Sequence, residues 1–244
     1  MYNILMKKKV VITGGSGLIG SILTKKLKDE FEIISLSRQQ CDLANFDKTA
    51  NIIKNDTDVI IHLAWKTGDL YASGHYDTDN VLMTLNVLEV AAQKKIPRVI
   101  LASSVHTNEY RQSYRKQIFN KLTNASLIPP LRWRGTSFVT SSNITHIDWP
   151  TSIYGATKLY FEALGRYYSQ YHGLEVVAVR IGGVNPENSP AAYNKPDYKK
   201  IFLSHEDLVR IFRDLINKPK IANNYECLYA ISRTKKNEKG AIIL

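Results

Sequence analysis

Residues 9–20 read KVVITGGSGLIG, and this stretch decides the fold of the chain. Its first five residues form an apolar run typical of a buried strand. Gly14, Gly17 and Gly20 then follow at three-residue intervals, and a helical pattern over residues 21–29 comes next. In such a turn one glycine allows the tight bend, one lets a pyrophosphate approach the backbone, and one lets the helix pack on the strand. Because phosphate groups also meet free N–H groups at the start of a helix, the order strand, glycine turn, helix predicts a dinucleotide site.

Strand-like and helix-like segments alternate from this turn to residue 180. Apolar strands that alternate with helices predict a parallel sheet covered on both faces, and right-handed crossovers make it a doubly wound, Rossmann-like α/β fold. We expect a single domain over residues 1–244, in which residues 181–244 form a small substrate-binding portion with one amphipathic helix at 205–216. The predicted strands are 9–13, 32–36, 59–63, 98–102 and 175–180, and the predicted helices before residue 180 are 21–29, 46–54, 80–94 and 152–171.

The composition is that of a globular protein, since 44% of the 244 residues are hydrophobic. No apolar run reaches the roughly 18 residues that span a bilayer, so no membrane partner is predicted. The first residues, MYNILMKKK, lack a secretory apolar region and a cleavage site, which predicts a cytoplasmic location. Cys41 and Cys227 form no CxxC pair, and the sequence predicts neither a disulfide framework nor a metal site.

The formal net charge of +11 favours anionic partners. No nucleic-acid-binding signature with interleaved aromatic residues is present, so nucleic acid is not a predicted partner. Much of the charge falls in residues 105–149, a polar insertion that interrupts the alternation of strands and helices. We expect this insertion at the rim of the active site, either as a lid for an anionic substrate or as a solvated basic loop. Its cations are Arg111, Arg115, Lys116, Lys121, Arg132 and Arg134.

The pattern YxxxK occurs at Tyr154 and Lys158, within a predicted helix. Residues four apart lie on one face of a helix, so the ammonium is expected beside the phenol. A phenol with a pKa of about 10 is a poor base at neutral pH, and a neighbouring cation lowers that pKa. The tyrosine can then exchange a proton with a carbinol while a hydride moves to or from a nicotinamide ring.

These motifs together resemble the extended short-chain dehydrogenase/reductase family of sugar epimerases, dehydratases and dehydrogenases. Beyond the glycine turn and YxxxK, the resemblance rests on residues 41–43 (CDL), 62–64 (HLA), 80–88 (NVLMTLNVL) and 101–104 (LASS), with Met83 where glycine is usual. The resemblance implies cofactor contacts from Gly14, Ser16, Gly17, Leu18, Ile19, Gly20, Ser37, Arg38, Asp42, Leu43, Leu63, Ala64, Trp65, Asn80, Tyr154, Lys158 and Ile181.

The end of the second predicted strand bears on the choice of dinucleotide. Enzymes that prefer NAD usually carry an acidic residue there, which binds the ribose 2′-hydroxyl, whereas an arginine accommodates a 2′-phosphate. This chain has Ser37 and Arg38 and no acidic residue at that place. We therefore expect NADP as the cofactor, with NAD as the alternative.

A narrower resemblance is to uronate dehydrogenases, through residues 104–106 (SVH), 179–182 (VRIG), 185–187 (NPE) and 202–207 (FLSHED). It implies Ser104 as the third catalytic residue, with Ser103 as the alternative if the alignment slips by one. The implied substrate contacts are Thr67, Ser104, His106, Tyr154 and Gly183. Gly183 replaces a serine of that subgroup, and no arginine replaces its carboxylate-binding arginine, for which Lys199 and Lys200 are the candidates.

The sequence thus predicts an NAD(P)-dependent oxidoreductase that transfers a hydride between the cofactor and a sugar or sugar acid, the substrate being an anionic sugar. A nucleotide-sugar epimerase or dehydratase is one alternative, although the short C-terminal portion disfavours it. A non-catalytic dinucleotide-binding sensor is the other, against which the intact Ser104, Tyr154 and Lys158 argue. The family resemblance also implies a homodimer through the helices that begin near Asn80 and Tyr154.

Overall fold

The computed structural model describes residues 7–66, 77–108, 150, 152–194 and 198–232. Within these ranges six strands form one fully parallel sheet in the order β2-β1-β3-β4-β5-β6, which confirms the doubly wound, Rossmann-like fold. The strands are β1 (Lys9–Thr13), β2 (Glu32–Leu36), β3 (Val59–His62), β4 (Arg98–Ser104), β5 (Glu175–Ile181) and β6 (Tyr225–Ala230). The helices are α1 (Leu18–Leu27), α2 (Phe46–Ile52), α3 (Asp79–Gln93), α4 (Ile153–His172), α5 (Tyr198–Ile201) and α6 (His205–Asn217).

The chain reverses its direction across the sheet between β1 and β3. From β1 it moves outward to β2, and it then returns past β1 to place β3, β4, β5 and β6 on the other side. Ligands of open α/β sheets bind in the crevice at such a switch point, outside the carboxyl ends of the strands. The glycine turn follows β1 directly, so it lies at the mouth of this crevice.

Alternation along the strands produces two hydrophobic cores, one on each face of the sheet. Val10 and Ile12 of β1 point into the core covered by α1 and α6. Val11 of the same strand points into the core covered by α3 and α4. Because both faces are buried, the strands carry the nearly continuous apolar runs from which they were predicted.

The sequence did not predict strand β6 or the short helix α5. Tyr225 and Glu226 of β6 are only partly buried, because the strand has β5 as its partner on one side and lies at the edge of the sheet. Its sequence, YECLYA, is not a continuous apolar run. Helix α1 begins three residues earlier than predicted, at Leu18, and β4 extends two residues further, to Ser104.

Two of the predicted features fall partly or wholly outside the described residues. Thr67 lies in the undescribed range 67–76, and the insertion is described at residues 105–108, which form a 3-10 helix, and not over 109–149. Among the helices that the structure describes, none combines the length and the apolar character needed to cross a membrane.

Candidate active site

The glycine turn between β1 and α1 has the close contacts that its sequence predicts. Gly14 has a φ of +70°, and a Cβ there would lie 2.8–2.9 Å from backbone atoms of Leu63 and Ala64, at the end of β3. A Cβ on Gly20 would collide with the carbonyl of Gly14, so only glycine lets α1 pack this closely on the turn. The first N–H groups of α1 consequently point towards the crevice at the switch point.

A pocket opens beside this turn and runs across the ends of β1, β2 and β3. Ten of the predicted cofactor residues line it: Gly14, Ser16, Gly17, Ser37, Arg38, Asp42, Leu43, Leu63, Ala64 and Trp65. Leu36, Cys41, Lys66 and Met83 also line it and were not predicted. Met83 stands at the family's usual glycine position, a departure that could have marked it as a pocket residue.

Arg38 lies exposed on the pocket wall at the end of β2. Beside it, Oε1 of Gln40 accepts hydrogen bonds from the backbone N–H of Ser37 at 2.8 Å and from its hydroxyl at 3.0 Å. These two bonds shape the turn that carries the guanidinium. Within the described residues Arg38 forms no ion pair, and its donors remain available to a bound anion.

A buried series of hydrogen bonds links β1, β3 and α3 beside the pocket. Thr13 Oγ1 is joined to His62 Nδ1 at 2.8 Å, and His62 Nε2 is joined to Thr84 Oγ1 at 3.1 Å. The backbone N–H of Ala64 also donates to Thr13 Oγ1, at 3.3 Å. Burial lowers the pKa of His62 to about 3, so the imidazole is neutral. It therefore acts as a structural link between β1, β3 and α3.

Seven of the predicted cofactor residues do not line this pocket: Leu18, Ile19, Gly20, Asn80, Tyr154, Lys158 and Ile181. Asn80 is buried, and its amide binds both backbone groups of Lys66, accepting from the N–H at 2.7 Å and donating to the carbonyl at 3.1 Å. The structure thus places Asn80 behind the pocket, where it fixes the backbone that follows β3. Ile181 is buried at the end of β5.

The YxxxK residues lie in the first two turns of α4, which begins at the N-cap Ser152. Lys158 is buried, and its Nζ donates to the Ala102 carbonyl of β4 at 2.9 Å. The Tyr154 ring contacts the Trp65 ring edge to face, with centroids 5.1 Å apart. Burial lowers the pKa of Lys158 to about 7. The indole of Trp65 thus lies between the pocket, which it lines, and the YxxxK pair.

The two serines at the end of β4 have different partners. The Ser103 hydroxyl donates to Glu162 of α4 at 2.5 Å, and Glu162 forms a buried ion pair with Arg180 of β5 at 2.7 Å. The Ser104 hydroxyl instead accepts the backbone N–H of His106 at 3.2 Å, and the His106 ring lies 5.7 Å from the Tyr154 ring. Ser103 is therefore bonded to α4 through Glu162, whereas the Ser104 hydroxyl lies beside His106, whose ring contacts Tyr154.

Gly183 occurs where the resembling subgroup has serine, and the structure provides a steric reason. It pairs with Phe202 in an isolated bridge, and a Cβ at this position would collide with the ring of Tyr198. Asn185 donates to the Tyr198 hydroxyl at 2.7 Å and so holds the ring in place. Lys199 and Lys200, on the same short helix α5, are exposed.

Comparison with known proteins gives a family for this arrangement. A family model described as the NAD dependent epimerase/dehydratase family matches residues 10–201, which include the glycine turn, Ser104 and YxxxK. The chain belongs to this family. It is accordingly an NAD-dependent enzyme of the short-chain dehydrogenase/reductase type.

The individual proteins that this chain resembles share about a quarter of its sequence. The uncharacterized protein YtbQ of Bacillus subtilis is 27% identical, over 92% of this chain and 86% of its own length. Uronate dehydrogenase of Agrobacterium fabrum is 25% identical, over 87% of this chain and 73% of its own. The solved structure of a glucuronic acid dehydrogenase from Chromohalobacter salexigens superposes with a TM-score of 0.66 at 22% identity, covering 94% and 79% of the two chains. That superposition shows a shared fold.

The pocket of this epimerase/dehydratase family member fits a nicotinamide dinucleotide. Side chains at Gly14 and Gly20 would close the cradle at the start of α1, and the pyrophosphate of a dinucleotide requires backbone at that place. Arg38 and Asp42 lie on the pocket wall beyond β2, on the side where the adenosine half binds in this fold. Trp65 lines the pocket on the side of the YxxxK pair, where the nicotinamide half is needed for chemistry.

Proposed function

We propose that the chain is an NAD(P)-dependent oxidoreductase that transfers a hydride between a nicotinamide cofactor and a hydroxyl or carbonyl group of a sugar or sugar acid. The observation that carries this proposal is the position of Ser104, Tyr154 and Lys158. Ser104 ends β4, and α4 packs on that strand so that Lys158 binds its Ala102 carbonyl. The three residues therefore meet at the carboxyl edge of the sheet, beside a pocket that fits the dinucleotide.

A nicotinamide dinucleotide held in this pocket would serve as the hydride donor or acceptor. Tyr154 exchanges the proton of the substrate hydroxyl, and the Lys158 ammonium favours the phenolate that this exchange requires. The Ser104 hydroxyl binds the same substrate oxygen and holds it against Tyr154. The His106 ring packs against Tyr154 and is itself more than half buried, which lowers its pKa and favours a neutral imidazole.

The proposed substrate class is an anionic sugar, such as a uronate or a sugar phosphate. The net charge of +11 and the similarity to uronate dehydrogenase support an anionic substrate. The ring of Tyr198 leaves no room for a side chain at position 183, so the serine of the uronate dehydrogenase subgroup has no counterpart there. The test is a panel of aldoses, uronates and sugar phosphates, each offered with NAD and with NADP and followed at the nicotinamide absorbance. Absence of net cofactor reduction with every substrate would contradict a dehydrogenase.

The same panel separates the proposal from epimerase chemistry, for which the family is also named. An epimerase returns the hydride to its substrate, so substrate is converted without net reduction of the dinucleotide. A non-catalytic sensor would bind the dinucleotide and convert no substrate. The buried Lys158 and the Ser104–His106–Tyr154 contacts support the catalytic alternative.

We further propose NADP as the preferred cofactor. The support is an exposed guanidinium, Arg38, on the pocket wall at the end of β2, where Ser37 and Arg38, and no acidic residue, come directly after the strand. A carboxylate at that place would bind the 2′-hydroxyl of NAD and repel the 2′-phosphate of NADP. Ser37 lies beside Arg38 on the same pocket wall and provides a second polar side chain where the 2′-phosphate is expected.

We also propose a homodimer. Large apolar side chains are exposed on α3 and α4, the two helices that cover one face of the sheet. On α4, Ile153, Tyr160 and Tyr167 recur at seven-residue spacing and Tyr171 follows four residues later, so the four form one stripe along the helix. A twofold axis beside this stripe would pair α3 and α4 with their copies in a four-helix interface. The exposed residues are Leu82 on α3 and Ile153, Tyr160, Tyr167 and Tyr171 on α4.

A further inference from the structure

The Lys158 ammonium lies in surroundings that are unusual for a buried cation. The residue is 4% exposed, and the hydrogen bond from its Nζ to the Ala102 carbonyl is the polar contact that the structure gives it. Within the described residues no carboxylate lies within 4.0 Å of its Nζ. Buried charges are normally paired, because transfer out of water disfavours the charged form. Some other contact must therefore favour the charge that the proposed mechanism requires.

Aromatic rings provide that contact. The Nζ lies 4.3 Å from the centroid of the Trp65 ring, 5.2 Å from that of Phe161 and 5.8 Å from that of Tyr154. The negative face of an aromatic ring attracts a cation, and indole is the strongest of the three ring types. Trp65 also contacts Tyr154 edge to face, so a single indole touches both members of the catalytic pair.

We propose that Trp65 is a positioning residue whose indole face keeps the Lys158 ammonium charged inside the protein and whose contact with Tyr154 orients the phenol. This role rests on the proposed function, because it concerns the same catalytic pair. It makes Trp65 more than a wall of the dinucleotide pocket. A purely aliphatic side chain at this position would bury Lys158 without offering any attraction to its charge.

Other ionisable groups near α4 do not replace this interaction. His62 is neutral, Glu162 binds Arg180 and Ser103, and Glu89 of α3 accepts a hydrogen bond from Tyr168. Besides Lys158, the titratable groups of α4 itself are Tyr154, Tyr160, Glu162, Arg166, Tyr167, Tyr168, Tyr171 and His172. The elements packed against α4 carry Asp79, Glu89, Arg98, His106, Glu175, Arg180, Tyr225, Glu226, Cys227 and Tyr229, and His62 of β3 also interacts with Lys158.

The test changes the electrostatics of the indole without changing its size. Monofluoro- and trifluorotryptophan are introduced at position 65 of the full chain, and the pKa of Lys158 is followed by NMR with ¹³Cε-labelled lysine. The Lys158→Arg variant identifies the resonance. Fluorine withdraws electron density from the ring face, so the pKa of Lys158 should fall stepwise, by about half a unit or more with three fluorines. Fluorinated phenylalanine at Phe161, whose ring is more distant, should produce a smaller fall.

Trp65→Phe provides a second variant, with a weaker aromatic face, and should also lower the pKa of Lys158. An unchanged or raised pKa across the fluorinated series would overturn the proposal and leave Trp65 a packing residue. Because this titration needs neither cofactor nor substrate, it is independent of the proposed activity. If the pKa falls as expected but no sugar is oxidised, the positioning role stands and the dehydrogenase function fails. With an active enzyme, the alkaline limb of kcat/KM should move to lower pH by the same amount.

Discussion

At the scale of single residues, adjacent serines at the end of β4 should have separable roles. Ser104→Ala removes the donor to a substrate oxygen that gains charge in the transition state, so kcat should fall roughly 10- to 100-fold. Ser103→Ala removes a donor to the buried Glu162 carboxylate, so it should lower the free energy of unfolding by about 1–3 kcal/mol and leave kcat unchanged. Steady-state kinetics and urea denaturation of both variants test this division. A large loss of kcat in Ser103→Ala alone would reverse the assignment.

Tyr154 is expected to carry the proton transfer. Tyr154→Phe keeps the ring that packs against Trp65 and His106 but removes the hydroxyl, so turnover should fall roughly 10²- to 10⁴-fold. Dinucleotide affinity, measured by isothermal titration calorimetry, should stay close to that of the wild type, since Tyr154 does not line the pocket. A variant that retains full turnover would refute general acid–base catalysis by this residue.

Arg38 is expected to select the cofactor. Loss of a charge-assisted contact with the 2′-phosphate costs about 1.5–3 kcal/mol, so Arg38→Ala should raise the Kd for NADP roughly 10- to 100-fold. The Kd for NAD should not change. Lys28→Ala is the matched control, because it removes one exposed positive charge at the C-terminal end of α1, outside the pocket. Equal NADP affinity in Arg38→Ala and wild type would rule out this role.

At the scale of the elements, α4 is held from two sides. Towards the sheet, Glu162 joins it to Arg180 of β5, and Arg180 reaches the Tyr229 hydroxyl of β6 at 2.8 Å. Towards α3, the Tyr168 hydroxyl donates to Glu89 at 2.6 Å. These contacts fix the helix that carries the proposed catalytic pair, so we expect their loss to change the position of Tyr154 and Lys158 as well as stability.

The contact between α3 and α4 should make stability depend on pH. The hydrogen bond from Tyr168, followed by that from Gln93, lowers the pKa of Glu89 below its ordinary value. The stabilisation that the ionised Glu89 contributes to the fold is therefore complete above roughly pH 5, where the carboxyl is also ionised in the unfolded chain. It is lost as the pH falls through the pKa of Glu89 in the folded protein. Tyr168→Phe should cost about 1 kcal/mol at neutral pH, and the difference from wild type should narrow in acid. Urea denaturation of both proteins from neutral to acid pH measures this difference in the free energy of unfolding. A difference that stays constant with pH would contradict the role of Glu89.

At the scale of the whole molecule, the exposed stripe on α4 should form a subunit interface. Tyr160 and Tyr167 are 46% and 50% exposed on this stripe, so Tyr160→Glu combined with Tyr167→Glu should place charges in the interface and yield monomers. Tyr193→Glu is the control, because Tyr193 is equally exposed, at 51%, but lies outside both helices. Analytical ultracentrifugation at micromolar concentration distinguishes the two states. A monomeric wild-type protein would refute the dimer.

The sequence alone determined the parts of this protein that depend on local periodicity and on backbone chemistry. Apolar runs specified the strands β1 to β5, because both faces of a parallel sheet are buried. The glycine spacing at Gly14, Gly17 and Gly20 specified the turn, since a side chain at the first or the third would collide with the backbone. YxxxK placed Tyr154 and Lys158 on one helical face, because four residues make slightly more than one turn.

The tertiary structure alone decided what depends on contacts between distant segments. Ser103 and Ser104 have different partners because Ser103 bonds to Glu162, which in turn pairs with Arg180. These two residues lie 59 and 77 residues further along the chain than Ser103. Strand β6 has the sequence YECLYA, which is not a continuous apolar run, and its pairing with β5 is what makes it a strand. The indole of Trp65 reaches Lys158 because the segment that follows β3 lies beside the start of α4, and no periodicity in either segment predicts that contact. Local patterns reflect which face of an element is buried, whereas the identity of the partner on that face is set by the packing of the whole chain.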